Sequence, residues 1–77
     1  MDFKEILANI ARAIVDTPEA VNVTETVDGD DIELTLTVAE DDTGMVIGRH
    51  GRIAKAIRQI MKAAASTCGK RVTVEIK

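Results

Sequence analysis

Two glycines three residues apart, Gly48 and Gly51, constrain this chain more than any other feature. They enclose Arg49 and His50, follow the apolar pair Val46-Ile47, and precede a long amphipathic run that starts near Arg52. A residue without Cβ lets the backbone turn sharply and lie close to another molecule. Residues 48–51 therefore read as a tight loop between two helical stretches, with Arg49 and His50 at its tip. The helix after the loop aims its first N–H groups and the positive end of its dipole into the same space. That combination suits a phosphodiester backbone.

Periodicity on either side sets the rest of the fold. Phe3, Ile6, Leu7, Ile10 and Ile14 recur at helical spacing and predict an amphipathic helix. Asp2 caps it, Glu5 completes a capping box, and Asp16-Thr17-Pro18 ends it. Val21, Val23, Glu25 and Val27 alternate with Asn22, Thr24 and Thr26, predicting a strand with its apolar side inward. Ile32, Leu34, Leu36 and Val38 alternate with Glu33, Thr35 and Thr37 in the cleanest half-buried strand. Asp28-Gly29-Asp30 joins the two as an antiparallel hairpin. Asp41, Asp42 or Thr43 can cap a short helix over residues 44–47. A longer helix runs over residues 52–67 and stops at Gly69. Val72, Val74 and Ile76 make a last strand, giving the order αββααβ.

The 77 residues make one domain, 45% hydrophobic and 30% charged, which is ordinary globular material. Phe3 is the only aromatic residue, so the core must be aliphatic. The net charge of −3 argues against a nucleic-acid partner until its distribution is examined. Residues 1–42 hold twelve acidic and two basic side chains, whereas residues 43–77 hold eight basic and one acidic. No Asp or Glu occurs between Thr43 and Val74. A positive field gathered around the glycine loop steers anions more than net charge does.

The residues Val46-Ile47-Gly48-Arg49-His50-Gly51, with Gly44 upstream and Arg52, Lys55 and Arg58 downstream, resemble the GxxG loop of a KH domain, which clamps about four backbone nucleotides. The resemblance covers the whole chain and is to the small single-domain bacterial KH proteins of the KhpA type. It implies an α+β fold of the type II KH order, with a three-stranded sheet covered on one face by three helices. It also implies a single-stranded RNA, ribosomal or messenger, lying in a groove. Gly48, Arg49, His50 and Gly51 would contact its phosphates, and Val46, Ile47 and Ile53 would give apolar contact under its bases. A strand edge within residues 34–38 would offer main-chain groups to base edges. Relatives often carry lysine where this chain has His50.

The long helix carries two further expectations. Arg52, Lys55, Arg58, Gln59, Lys62 and Ser66 fall within one arc of about 120°. Arg52 and Lys55 lie nearest the loop, and Arg58 and Lys62 extend the stripe along a phosphate chain. The apolar residues spread over about 200°, more than packing on one sheet requires. Ala54, Ile57, Met61, Ala64, Ala65 and Cys68 can cover the sheet. Ile53, Ala56, Ile60 and Ala63 are left over, and unless the first helix covers them they predict a dimer seam through Ile60. The resemblance adds self-association and pairing with a larger KH-containing partner.

Other functions fit less well. RRM, OB and cold-shock modules stack bases on aromatic rings, and Phe3 is needed in the core. The single histidine and the single cysteine have no catalytic partner by spacing, so an enzyme is not expected. Asp28, Asp30 and Asp31 lack the spacing and closing glutamate of a calcium loop. Residues 44–51 lack the Gly-Lys-Ser/Thr ending of a nucleotide P-loop. No cofactor, metal or small-molecule substrate is expected. One cysteine, no signal-peptide pattern and no long apolar run fit a cytoplasmic setting without membrane insertion. The sequence reads as a non-catalytic single-stranded RNA-binding protein, an RNA adaptor or chaperone in post-transcriptional regulation. The competing readings are a KH-fold protein-interaction module with little nucleic-acid binding, and a single-stranded DNA binder.

Overall fold

Asp2 starts the first helix as its sequence position predicts. In the computed structural model, which describes residues 2–77, its carboxylate accepts the Glu5 N–H at 3.2 Å. Helix α1 then spans Phe3–Ile14. Glu5 lies 3.7 Å from Arg12 rather than closing the capping box. After a single 3-10 turn over Pro18–Ala20 the chain enters strand β1, Asn22–Asp28, and strand β2, Asp31–Thr37. They form an antiparallel hairpin whose ladder runs from Asn22↔Thr37 to Asp28↔Asp31. The two-residue turn needs Gly29, whose φ is +62°.

Helix α2 spans Thr43–Ile47, helix α3 spans Arg52–Ser66 and strand β3 spans Arg71–Ile76. Strand β3 lies parallel to β2, in register from Asp31↔Arg71 to Leu36↔Ile76. Parallel neighbours cannot be joined by a tight turn, so α2, the glycine loop and α3 together form the crossover. The αββααβ order and the antiparallel hairpin match the sequence expectation. The sheet order is β1-β2-β3. Gly69, at φ +69°, ends α3, and the Lys70 N–H reaches back to the Ala65 carbonyl at 3.0 Å.

The helices cover one face of this sheet around an aliphatic core. Leu7 and Ala11 of α1, Leu34 and Leu36 of β2, Val46 of α2, and Met61 and Ala65 of α3 are fully enclosed, with Ile57, Phe3 and Val74 nearly so. Asp42 is the one buried charged residue among the described residues, 3% exposed. Its carboxylate accepts the Thr17 N–H at 2.9 Å, so it pins the segment after α1 to the start of α2 instead of capping α2.

Three expectations are corrected. Val27 is 59% exposed: it sits at the hairpin end of β1, which the helices leave uncovered, so only Val23 of that strand is buried. Cys68 is exposed, because α3 stops at Ser66 and residue 68 no longer follows the helical arc. Residues 34–38 do not offer a sheet edge. Strand β2 is central, with β1 on one side and β3 on the other, so the edges belong to β1 and β3.

Candidate nucleic-acid interface

The loop after α2 is built from backbone conformations that restrict which residues can occupy it. Gly48 has φ +75° and ψ 174°, a region that essentially only glycine enters. Space imposes the same choice: a Cβ on Gly48 would stand 2.6 Å from Ile53 Cγ1 and 2.9 Å from Ile53 Cβ. Gly51 is left-handed at φ +72° and ψ 16°, with open space around it. His50, at φ 59° and ψ 25°, is the one described non-glycine residue with positive φ. Side chains other than glycine pay about 1–2 kcal/mol in that conformation, although histidine tolerates it better than most.

Three internal hydrogen bonds hold the turn. The Gly48 N–H reaches the Gly44 carbonyl at 2.8 Å, the Gly51 N–H reaches the Gly48 carbonyl at 3.2 Å, and the Arg52 N–H reaches the Arg49 carbonyl. No side chain caps the turn at Gly48. No side chain caps the start of α3 either. The Gly51 and Arg52 amides close the turn, and the next amides of a fifteen-residue helix have no side-chain acceptor, at the positive end of the helix dipole.

Arg49, His50, Arg52 and Lys55 are all exposed. The ion pairs among the described residues go elsewhere: Lys70 pairs with Asp30 at 3.0 Å, Arg71 with Asp31 at 2.7 Å, and Arg12 with Glu5. Arg49, Arg52, Lys55 and Lys62 therefore carry charge that no described carboxylate offsets. Arg58 is less free, because its Nε donates to the Val74 carbonyl at 3.2 Å and lays the side chain over β3.

The apolar residues beside the loop divide differently from expectation. Val46 is 0% exposed and belongs to the core, so its side chain has no surface for a base. Ile47 and Ile53 are exposed, and so is Met45, which the sequence reading left out. Both differences have one cause. A helix of five residues is too short to show its inward face by periodicity, and burying Val46 turns its two neighbours outward. Along α3, Ala54, Ile57, Met61 and Ala65 pack inward, while Ile53, Ala56, Ile60 and Ala63 stay exposed. Helix α1 does not cover that second row.

A three-stranded sheet backed by three helices, with a GxxG loop joining α2 to α3, defines a KH domain of the type II order. The family model described as KhpA/KhpB, KH domain, matches residues 4–76, and the chain belongs to that family. Its relatives include proteins named RNA-binding protein KhpA. That of Clostridium acetobutylicum is 52% identical over 73 residues, covering 95% of this chain and 97% of its own. That of Treponema pallidum is 47% identical over 95% of this chain and 91% of its own. Among solved structures, Era in complex with MgGDPNP and nucleotides of 16S ribosomal RNA superposes with a TM-score of 0.72 at 21% identity. The match covers 96% of this chain but 28% of the Era chain, and so speaks for the fold.

Proposed function

We propose that this protein binds single-stranded RNA, gripping phosphates with the loop Gly48-Arg49-His50-Gly51 and the start of α3. One observation carries the reading: unpaired cations and the uncapped start of α3 converge where glycine alone permits a close backbone approach. Arg49 and His50 reach phosphates from the tip, and Arg52 and Lys55 continue the contact along α3. Ile47, Ile53 and Met45 give the bases an apolar surface without aromatic stacking. The names of the relatives, RNA-binding protein KhpA, and the ribosomal RNA held by Era support the same ligand class. The role that fits is a non-catalytic adaptor or chaperone acting on transcripts or ribosomal RNA in the cytoplasm. No described helix is long and apolar enough to cross a membrane.

The exposed row Ile53, Ala56, Ile60 and Ala63 supports self-association, or pairing with a larger KH-containing protein. Ile60 is 51% exposed, and the flanking alanines let a second helix come close. Two linked domains would raise the affinity of a single weak site through effective concentration.

The test is a titration of short single-stranded RNAs, and matched DNAs, against the protein and a variant carrying Arg49→Asp with His50→Asp. Circular dichroism checks that the variant is folded. Binding of RNA that disappears in the folded variant supports the clamp. Equal binding by both proteins removes the loop from the mechanism. Absence of binding by either favours the interaction-module reading, with the Ile60 row as its surface.

A further inference from the structure

The side of the molecule away from the loop has the opposite character. Between Ala13 and Gly48 the sequence holds ten acidic residues and no Lys, Arg or His. Many of these acids lie on or beside the β1–β2 hairpin. Asp30 and Asp31 are paired with Lys70 and Arg71, but Glu25, Asp28 and Glu33 have no ion-pair partner among the described residues. Asp28 and Asp31 also stand directly opposite each other in the ladder, a like-charge pairing that weakens a hairpin.

The same hairpin carries the free edge of the sheet. On β3 the Val74 carbonyl is occupied by Arg58 Nε. Strand β1 has no such cover. Its seven residues pair with β2 on one side, and no backbone hydrogen bond reaches them from outside the hairpin. In an antiparallel ladder every second residue turns its N–H and C=O away from the partner strand. Strand β1 contains no proline, glycine or lysine, the devices that usually blunt an edge. Val27, 59% exposed, adds an apolar contact at its end. On the open face beside it lies a shallow depression lined by Thr26, Asp28, Asp31 and Glu33, among others.

We infer that the edge of β1 is a docking site for a lysine- and arginine-rich polypeptide segment of a partner protein, which adds to the sheet as an extended strand. Charge selects this occupant. A second copy of the chain pairing antiparallel across the strand centre would set Glu25 directly against Glu25, a like-charge pair that disfavours it. RNA is repelled by the same acids. A strand with basic residues on both faces instead places a cation beside Glu25 on one face and another beside Asp28 on the other, and its main chain satisfies the free edge. The domain thereby joins two partners of different chemistry on separate surfaces, and this docking stands whether or not the loop binds RNA.

A fluorescein-labelled peptide of about ten residues, with lysines on both faces of the extended strand interspersed with valine and threonine, serves as the probe. It is compared with the same peptide N-methylated at alternate residues and with a glutamate version. The expected result is binding seen by fluorescence anisotropy, with slowed hydrogen exchange of β1 amides. N-methylation removes binding, and the folded variant Glu25→Lys with Asp28→Lys weakens it by roughly tenfold or more. Undiminished binding of the N-methylated peptide overturns strand addition and leaves charge attraction alone. Equal binding of the glutamate peptide, dimerisation through β1, protection of β1 by RNA, or no binding at the highest soluble peptide concentration also overturns the proposal.

Discussion

At the residue scale, Gly48 and Gly51 look equivalent in sequence and are not equivalent in the structure. Gly48→Ala meets both a forbidden backbone region and the body of Ile53. It should cost roughly 2 kcal/mol or more. Gly51→Ala meets only the left-handed conformation, at about 1 kcal/mol. Thermal denaturation of both variants checks the difference, and equal losses would contradict it. Val46 and Ile47 form a second contrasting pair. Val46→Ala should cost about 2 kcal/mol, because the side chain is wholly enclosed. Ile47→Ser should change stability by less than about 0.5 kcal/mol and weaken RNA binding instead. The glycine positions and the cations around them were legible in the sequence, since conformational freedom and charge belong to the residue itself. The inward choice of Val46 was not, because it depends on which neighbours α2 packs against.

At the element scale, long periodic segments were readable and short ones were not. The apolar positions of α1, β2 and α3 repeat often enough to define a face, and those faces pack as expected. In β1 the alternation continues to Val27, but the covering helices do not. The parallel placement of β3 beside β2 had no local signal, because it is set by where the crossover returns the chain. That placement moved the sheet edges to β1 and β3. The outer row of α3 makes its own prediction. Ile60→Glu should leave the fold intact and shift sedimentation toward monomer, with weaker RNA binding through lost bivalency. An unchanged oligomeric state would remove the seam. Asp42→Ala should destabilise the protein by about 1–3 kcal/mol, because the Thr17 N–H loses its buried acceptor. Urea denaturation measures this loss.

Over the whole molecule, charge is divided between two surfaces. The acidic hairpin neutralises Lys70 and Arg71 locally, and the loop with the first turns of α3 keeps its cations unpaired. Net charge therefore hides the feature that selects the ligand. Phosphate contact predicts strong salt dependence, and Arg52→Gln or Lys55→Gln should each reduce the slope of log affinity against log salt by about one phosphate contact. In the proposed mode of binding, RNA is held at the loop by main-chain and cationic groups together. Amide chemical-shift mapping by NMR during titration with a short single-stranded RNA tests it most directly. The largest changes are expected at Arg49, His50, Gly51 and the first turn of α3, with little change in β1. Changes confined to the hairpin or to the outer row of α3, with a silent loop, would contradict it.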